Sequence, residues 1–270
     1  MFKKIKETTC FIKKAAGSFE PVCAMVLGSG LGHMFEDFSP VLELPYGSIP
    51  NFPVSTVKGH EGKLSFGYLE NSPVVLLSGR FHYYEGYSME QVVFPVRVMG
   101  QLGVRNVFFT NAAGGIHPGF RKGDLVVIRD HLNFMPNPLV GYNDENLGPR
   151  FPDMSQAYNR ELMARAQAFS EETGMRVLTG CYVGLTGPSF ETPSEYQAYR
   201  ILGGDMIGMS TVPEVIAARH MGLRCFAVSV ITNMAVPGHF NENSQQEVLD
   251  AAAEAGKNLS ALLKAVLRGL

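Results

Sequence analysis

Apolar runs alternate with polar, glycine-rich junctions along nearly the whole chain. Residues 22–27, 74–78, 104–110, 124–129, 176–185, 205–209 and 223–231 are short apolar runs bounded by Gly, Pro, Asn or Asp, the pattern of buried strands. Helical stretches lie between them. Ser88 stands three residues before Gln91 in capping-box spacing, and apolar Val92, Val93, Val96 and Met99 follow. Residues 159–173 read as a helix stopped by Gly174. Residues 193–202 read as a helix with Thr192 as cap and Pro193 at its first position, and 213–220 as another. A C-terminal helix starts near Ser244, with Val248, Ala252, Ala255, Leu259, Leu262 and Val266 on one stripe. Residues 63–70 turn at Asn71-Ser72 into the 74–78 run and predict an antiparallel pair. Residues 35–40, 45–59, 135–153 and 236–241 read as loops.

This alternation predicts an α/β fold: one domain over residues 1–270, with a mixed twisted sheet surrounded by helices. The centre of the pattern is the strand–helix–strand unit over 74–115. Both of its strands end in polar residues, at the edge where open α/β sheets bind ligands.

Composition narrows the class. The chain has 270 residues, and 46% hydrophobic content supplies a sizeable core. A net charge of −2 argues against a general nucleic-acid surface, so any anion site is local. The basic N-terminal stretch lacks the continuous apolar region of a signal peptide and reads as an amphipathic surface helix. No run is long enough to span a bilayer, and a reducing, cytoplasmic setting is expected. The four cysteines are scattered; Cys23 and Cys225 lie in apolar runs and read as small core residues rather than disulfide partners.

Candidate chemistry gathers at the strand ends. Arg80 and His82 follow the 74–78 strand in a loop with Phe81, Tyr83, Tyr84 and Tyr87. An arginine fork suits phosphate or carboxylate. Three small-residue turns, Gly28-Ser29-Gly30, Asn111-Ala112-Ala113 and Gly208-Met209-Ser210, each end an apolar strand, and with Arg80 they form a plausible oxyanion cage. The first of them is not a dinucleotide fingerprint, because His33 takes the place of the final glycine. Phe190 offers a stacking face. Glu191 serves either the N-terminus of the following helix or a ligand. Asn233 brings an amide to the end of the 223–231 strand, and with a carboxylate it suits the edge of a flat heterocycle. No metal-ligand spacing appears among the seven histidines, and there is no phosphate-loop or nucleophile-elbow motif. The residues point to a phosphate-plus-heterocycle site and leave the reaction open.

These motifs, Gly28-Ser29-Gly30-Leu31-Gly32, Gly59-His60-Glu61-Gly62, residues 79–87, residues 110–115, Gly187-Pro188-Ser189-Phe190-Glu191-Thr192 and residues 208–214, closely resemble the trimeric purine nucleoside phosphorylases that act on inosine and guanosine. The resemblance implies a phosphorylase/hydrolase-like fold with a partly barrel-like sheet. It implies reversible phosphorolysis of purine (deoxy)nucleosides to free base and (deoxy)ribose 1-phosphate in purine salvage. Ser29, Arg80, His82, the Ala112 N–H and Ser210 match the family's phosphate site, and His60 a residue gating it. Tyr84 and Met209 match ribose contacts. Phe190, Glu191, Ile207 and Asn233 match purine contacts, with Asn233, Glu191 and His82 in catalytic roles. Phe151 matches an aromatic that reaches into a neighbouring subunit's site, so a homotrimer is implied. No cofactor is implied, and inorganic phosphate is a co-substrate. The chain departs from the family before the last helix, where a histidine often meets the ribose 5′-hydroxyl. Gln245 aligns there, and His239 is nearby. Asn233, in place of the Asp of methylthioadenosine phosphorylases, favours hypoxanthine and guanine over adenine. A xanthosine- or methylthioadenosine-cleaving relative and an inactive nucleoside-binding protein are the alternatives.

Overall fold

The computed structural model describes residues 1–32, 34–54, 56, 61–235 and 245–270. Strand β1 (Cys23–Leu27) is buried at every position, as a continuous apolar run with no alternation requires. It lies parallel to β4 (Ser72–Ser78) on one side and to β5 (Asn106–Gly115) on the other. Helix α2 (Met89–Gln101) makes the crossover between β4 and β5. Its start is set locally by a reciprocal cap: Ser88 Oγ accepts the Gln91 N–H at 3.3 Å, and Gln91 Oε1 accepts the Ser88 N–H at 3.0 Å.

The antiparallel pair appears as β3 (Lys63–Leu69) on β4. Beyond it runs β2 (Ser39–Pro45), which starts inside a stretch that reads as a loop. This edge strand exposes most of its side chains and carries Pro40 and Pro45. Its pairing with β3 supports it, where its own pattern does not.

The remaining strands are β6 (Leu125–Asn133), β7 (Val177–Gly184), β8 (Met206–Gly208) and β9 (Arg224–Met234). The sheet order is β2-β3-β4-β1-β5-β8-β7-β6-β9, with an added β5–β9 pairing. That pairing closes β5, β8, β7, β6 and β9 into a ring, and the other four strands extend from it as an open sheet. The barrel-like character expected from the resemblance is present. Helices α1 (Phe2–Ala16), α3 (Arg160–Thr173), α4 (Pro193–Ile201), α5 (Val212–His220) and α6 (Gln245–Leu267) surround the sheet. Ala252, Ala255, Leu259, Leu262 and Val266 of the α6 stripe are buried, while Val248 is half-buried.

Three strands outrun their apolar runs. β5 continues from Thr110 through the small residues to Gly115, because β9 pairs with it along that length and β8 pairs at Gly114 and Gly115. The Asn111-Ala112-Ala113 segment is therefore strand and not turn. β6 runs on to Asn133 along β7, and β9 runs on to Met234. In each case backbone pairing with a distant strand overrides local composition. Cys23, Cys181 and Cys225 are buried and free, as packing residues. Among the described residues no helix is long and apolar enough to cross a membrane. The 236–241 segment lies outside the described residues.

Candidate active site

β1 stops at Leu27 and β4 at Ser78, while β5, on the other side of β1 from β4, goes on past them. The edge of β5 beyond Phe109 is thereby released from β1, and a cavity of about 680 Å³ opens over it. Burial alternates along this part of β5, and half-buried Ala112 and Gly114 both line the cavity. Gly28 permits the close approach of the β1 turn, since a methyl there would sit 2.8 Å from Thr110 O. The Gly28 N–H instead donates to Thr110 Oγ1 at 3.0 Å.

One end of the cavity is cationic and rich in hydroxyls. Arg80 is 3% exposed, and its Nη1 donates to Thr110 O at 2.7 Å and to Ser210 Oγ at 3.3 Å. Its Nε faces Glu214 Oε2 at 3.2 Å, a buried pair that fixes the guanidinium from behind. Ser29 and His82 line the same end. His82 Nδ1 lies 3.0 Å from Glu85 Oε1, and its ring stacks on Tyr84 at 4.7 Å. Burial works to raise the Glu85 carboxyl, but hydrogen bonds from His82 and Thr56 more than offset it and bring it down to about 2. The carboxylate thus stays ionised beside the ring, and the tautomer with the proton on Nδ1 is favoured. Burial pushes the Tyr84 hydroxyl up to about 12, so it enters the cavity as a neutral donor.

The other end is suited to a flat ring. Phe190 is 47% exposed and lines the cavity, as do Ile207 and Met209. Glu191 is raised above the ordinary carboxylate value by burial, against a hydrogen bond from the Tyr196 hydroxyl. It does not cap α4. Thr192 Oγ1 accepts the Glu195 N–H at 3.3 Å, and Glu195 Oε2 accepts the Thr192 N–H at 2.7 Å. The capping box is thus made without Glu191, whose carboxyl accepts from the Tyr196 hydroxyl and lines the cavity.

Asn233 reaches the cavity through a β-bulge. Ala113 pairs with Ile231, but Gly114 pairs with Asn233, so Thr232 is the extra residue. A one-residue slip exchanges the two faces of a strand, and here it brings Asn233 opposite cavity-lining Gly114. Thr232 Oγ1 donates to Asn233 Oδ1 at 3.2 Å. The α6 face closes the remaining side with Gln245, Val248 and Leu249.

The structure brings Ser29, Arg80, His82, Tyr84, Ala112, Phe190, Glu191, Ile207, Met209, Ser210, Asn233 and Gln245 to this one cavity. His60 and His239 lie outside the described residues. Phe151 is 88% exposed and borders a separate hollow of about 450 Å³ with His131 and Arg150. Sequence reasoning missed Glu85, Thr56, Tyr196 and Glu214. Glu85 and Glu214 did leave a signal, each standing three residues after a capping position, at His82 and Thr211. Among the described residues no group of three or more His, Cys, Asp or Glu is arranged to hold a metal ion.

The phosphorylase superfamily model matches residues 24–268. The chain is 46% identical over 267 residues to purine nucleoside phosphorylase 1 of Geobacillus stearothermophilus, covering 98% of this chain and 97% of that one. It is 45% identical over 260 residues to the mouse purine nucleoside phosphorylase, covering 93% and 90%. Its fold superposes on the Schistosoma mansoni purine nucleoside phosphorylase solved with adenosine, with a TM-score of 0.93 and 39% identity over 99% of this chain and 97% of that one. The chain belongs to the phosphorylase superfamily, within its purine nucleoside phosphorylase family.

Proposed function

We propose that this chain catalyses the reversible phosphorolysis of purine (deoxy)nucleosides, inosine and guanosine foremost, to the free base and (deoxy)ribose 1-phosphate. One observation carries the reading: a single cavity holds a buried arginine with hydroxyl and imidazole donors at one end, and an amide with a carboxylate at the other. The names of the relatives support it.

Phosphate sits against Arg80, His82, Ser29, Ser210 and the Ala112 N–H, and His60 takes the gating role that the family resemblance implies. The sugar lies between Tyr84 and Met209. A phosphate oxygen bonds to the anomeric carbon as the bond to the purine nitrogen breaks, and the electron pair leaves with the base. Positive charge grows on the sugar ring, as in glycoside cleavage, and the phosphate dianion beneath stabilises it. Negative charge grows on the purine. Asn233 donates a hydrogen bond to that charge, Glu191 holds the far edge, and Phe190 and Ile207 cover the ring. Catalysis is positioning plus preorganised electrostatics, with no covalent enzyme intermediate. Phosphate is a co-substrate, and the roles need no cofactor. Phe151 belongs to a neighbouring subunit's site in a cytoplasmic homotrimer, which fits an exposed aromatic that does not line its own chain's cavity. Gln245, on the wall, takes the ribose 5′-hydroxyl.

The test is base release from inosine with and without inorganic phosphate. Hypoxanthine and ribose 1-phosphate formed only with phosphate are expected. Release without phosphate makes the chain a hydrolase and removes the role given to Arg80.

A further inference from the structure

Residues 210–212 fold back on themselves. The Val212 N–H donates to Ser210 O at 2.7 Å, and Thr211 between them has φ +66° and ψ −51°. This is a γ-turn with positive φ at a β-branched residue, a rare and strained backbone. Such strain persists where surrounding contacts over-determine it. Two buried contacts do so here. Glu214 Oε2 accepts the Thr211 N–H at 3.0 Å, and Asn111 Nδ2 donates to Thr211 Oγ1 at 2.9 Å. Asn111 is fixed in turn by the Ser229 hydroxyl, which donates to its Oδ1 at 2.7 Å. Ser229 and Thr211 are fully buried, and Asn111 is 2% exposed.

This chain of bonds has a direction. The Ser229 proton goes to the Asn111 oxygen, and an Asn111 amide proton goes to Thr211 Oγ1. Thr211 keeps its own proton, and Ser210 Oγ lies 3.1 Å away as a partner for it; with Thr211 as donor the chain runs on to Ser210. Ser210 Oγ also accepts from Arg80 Nη1 at 3.3 Å. A hydroxyl has two acceptor positions and one proton. In that arrangement both acceptor positions are filled from the protein side, and the Ser210 proton goes to the cavity or to the neighbouring Tyr182 hydroxyl.

We infer that Asn111, acting through Thr211, is a positioning residue that turns the Ser210 hydroxyl proton toward an anion at the Arg80 end of the cavity. The inference rests on the phosphate reading of that end. A reversed chain would have Thr211 donate to Asn111 and Ser210 donate to Thr211. The Ser210 proton would then point away from the cavity, and an anion would meet oxygen lone pairs.

Thr211→Val keeps the branched shape and removes the hydroxyl, whereas Thr211→Ser keeps the hydroxyl. Steady-state kinetics are measured with phosphate and inosine varied in turn, and inorganic phosphate is titrated into each protein by calorimetry. The Val variant is expected to raise the KM and Kd for phosphate about tenfold, the size of one charge-assisted hydrogen bond, with the inosine KM changed by less than about twofold. The Ser variant is expected to restore phosphate affinity. Unchanged phosphate affinity in the Val variant overturns the inference, as does a parallel rise in both KM values, which marks a merely structural effect. Should Thr211→Val not fold, Ser229→Ala replaces it, with about a threefold loss of phosphate affinity expected from the unpinned amide and no change overturning the inference. A wild-type protein that binds no phosphate overturns the phosphate reading itself, a result distinct from a variant that binds as well as wild type.

Discussion

Asn233 and Gly114 face each other on adjacent parallel strands, and the Asn233 amide rests against the bare Cα of Gly114. A methyl at Gly114 would lie 3.3 Å from Asn233 Nδ2 and 3.5 Å from Oδ1. Gly114→Ala therefore pushes the amide by a few tenths of an ångström. Small misplacements of a group that acts in the transition state are costly. We expect turnover of inosine to fall roughly tenfold, with phosphate affinity unchanged. Asn233→Ala removes the amide altogether and is expected to cost about a hundredfold or more in kcat. That loss should be far smaller on a nucleoside with an activated leaving group. Equal losses on both substrates would sink the leaving-group role.

Substitution at the same position bears on the base. An amide donates to one purine atom and accepts from another, whereas a carboxylate only accepts. Asn233→Asp should therefore favour a 6-amino purine over a 6-oxo one. Relative kcat/KM for adenosine and inosine measures this, and an unchanged ratio would count against the amide as the specificity group.

Glu191 gives a pH dependence whose sign follows from its environment. Burial raises its carboxyl above the ordinary value. The ionised form accepts from the purine edge, so nucleoside recognition is present above the raised pKa and is lost as pH falls through it. The acid limb of kcat/KM for inosine should lie above the ordinary glutamate range, and Glu191→Gln should abolish it. Linkage runs the other way for stability. Between the ordinary and the raised value the folded chain binds more protons than the unfolded one, so this group makes stability fall as pH rises through that window.

Glu214 and Arg80 form a buried pair, with side chains 4% and 2% exposed. Glu214→Ala leaves a guanidinium buried without its carboxylate, and denaturant titration should show a loss of about 3 kcal/mol or more. Glu214→Gln keeps hydrogen-bonding atoms in place and is expected to weaken phosphate affinity with a smaller loss of stability. If both variants keep wild-type stability, the pair does not hold the arginine.

What the sequence determined by itself is local. The caps of α2 and α4 depend on residues three apart, and they stand at Ser88 and Thr192, where the sequence put them. The β4–α2–β5 unit and most apolar strands follow from runs whose burial needs no knowledge of partners. Most of the residues named as candidates line one cavity, many of them at or just beyond the ends of those strands, the edge that a mixed α/β sheet leaves open. Tertiary structure decided what depends on distant neighbours. The small residues 111–115 have little strand propensity and become strand because β9 and β8 pair with them. Edge strand β2 exists because β3 lies beside it. The bulge at Thr232 sets which face Asn233 takes, and the register against β5 fixes it. That Thr192 and Glu195 form the capping box, and that the Glu191 carboxyl meets the Tyr196 hydroxyl, is seen only in the folded chain. Arg80 meets Glu214 across 134 positions of chain, and Asn111 meets Thr211 across 100. Hydrophobic periodicity reports which face of an element is buried, but it carries no information about which polar groups meet there.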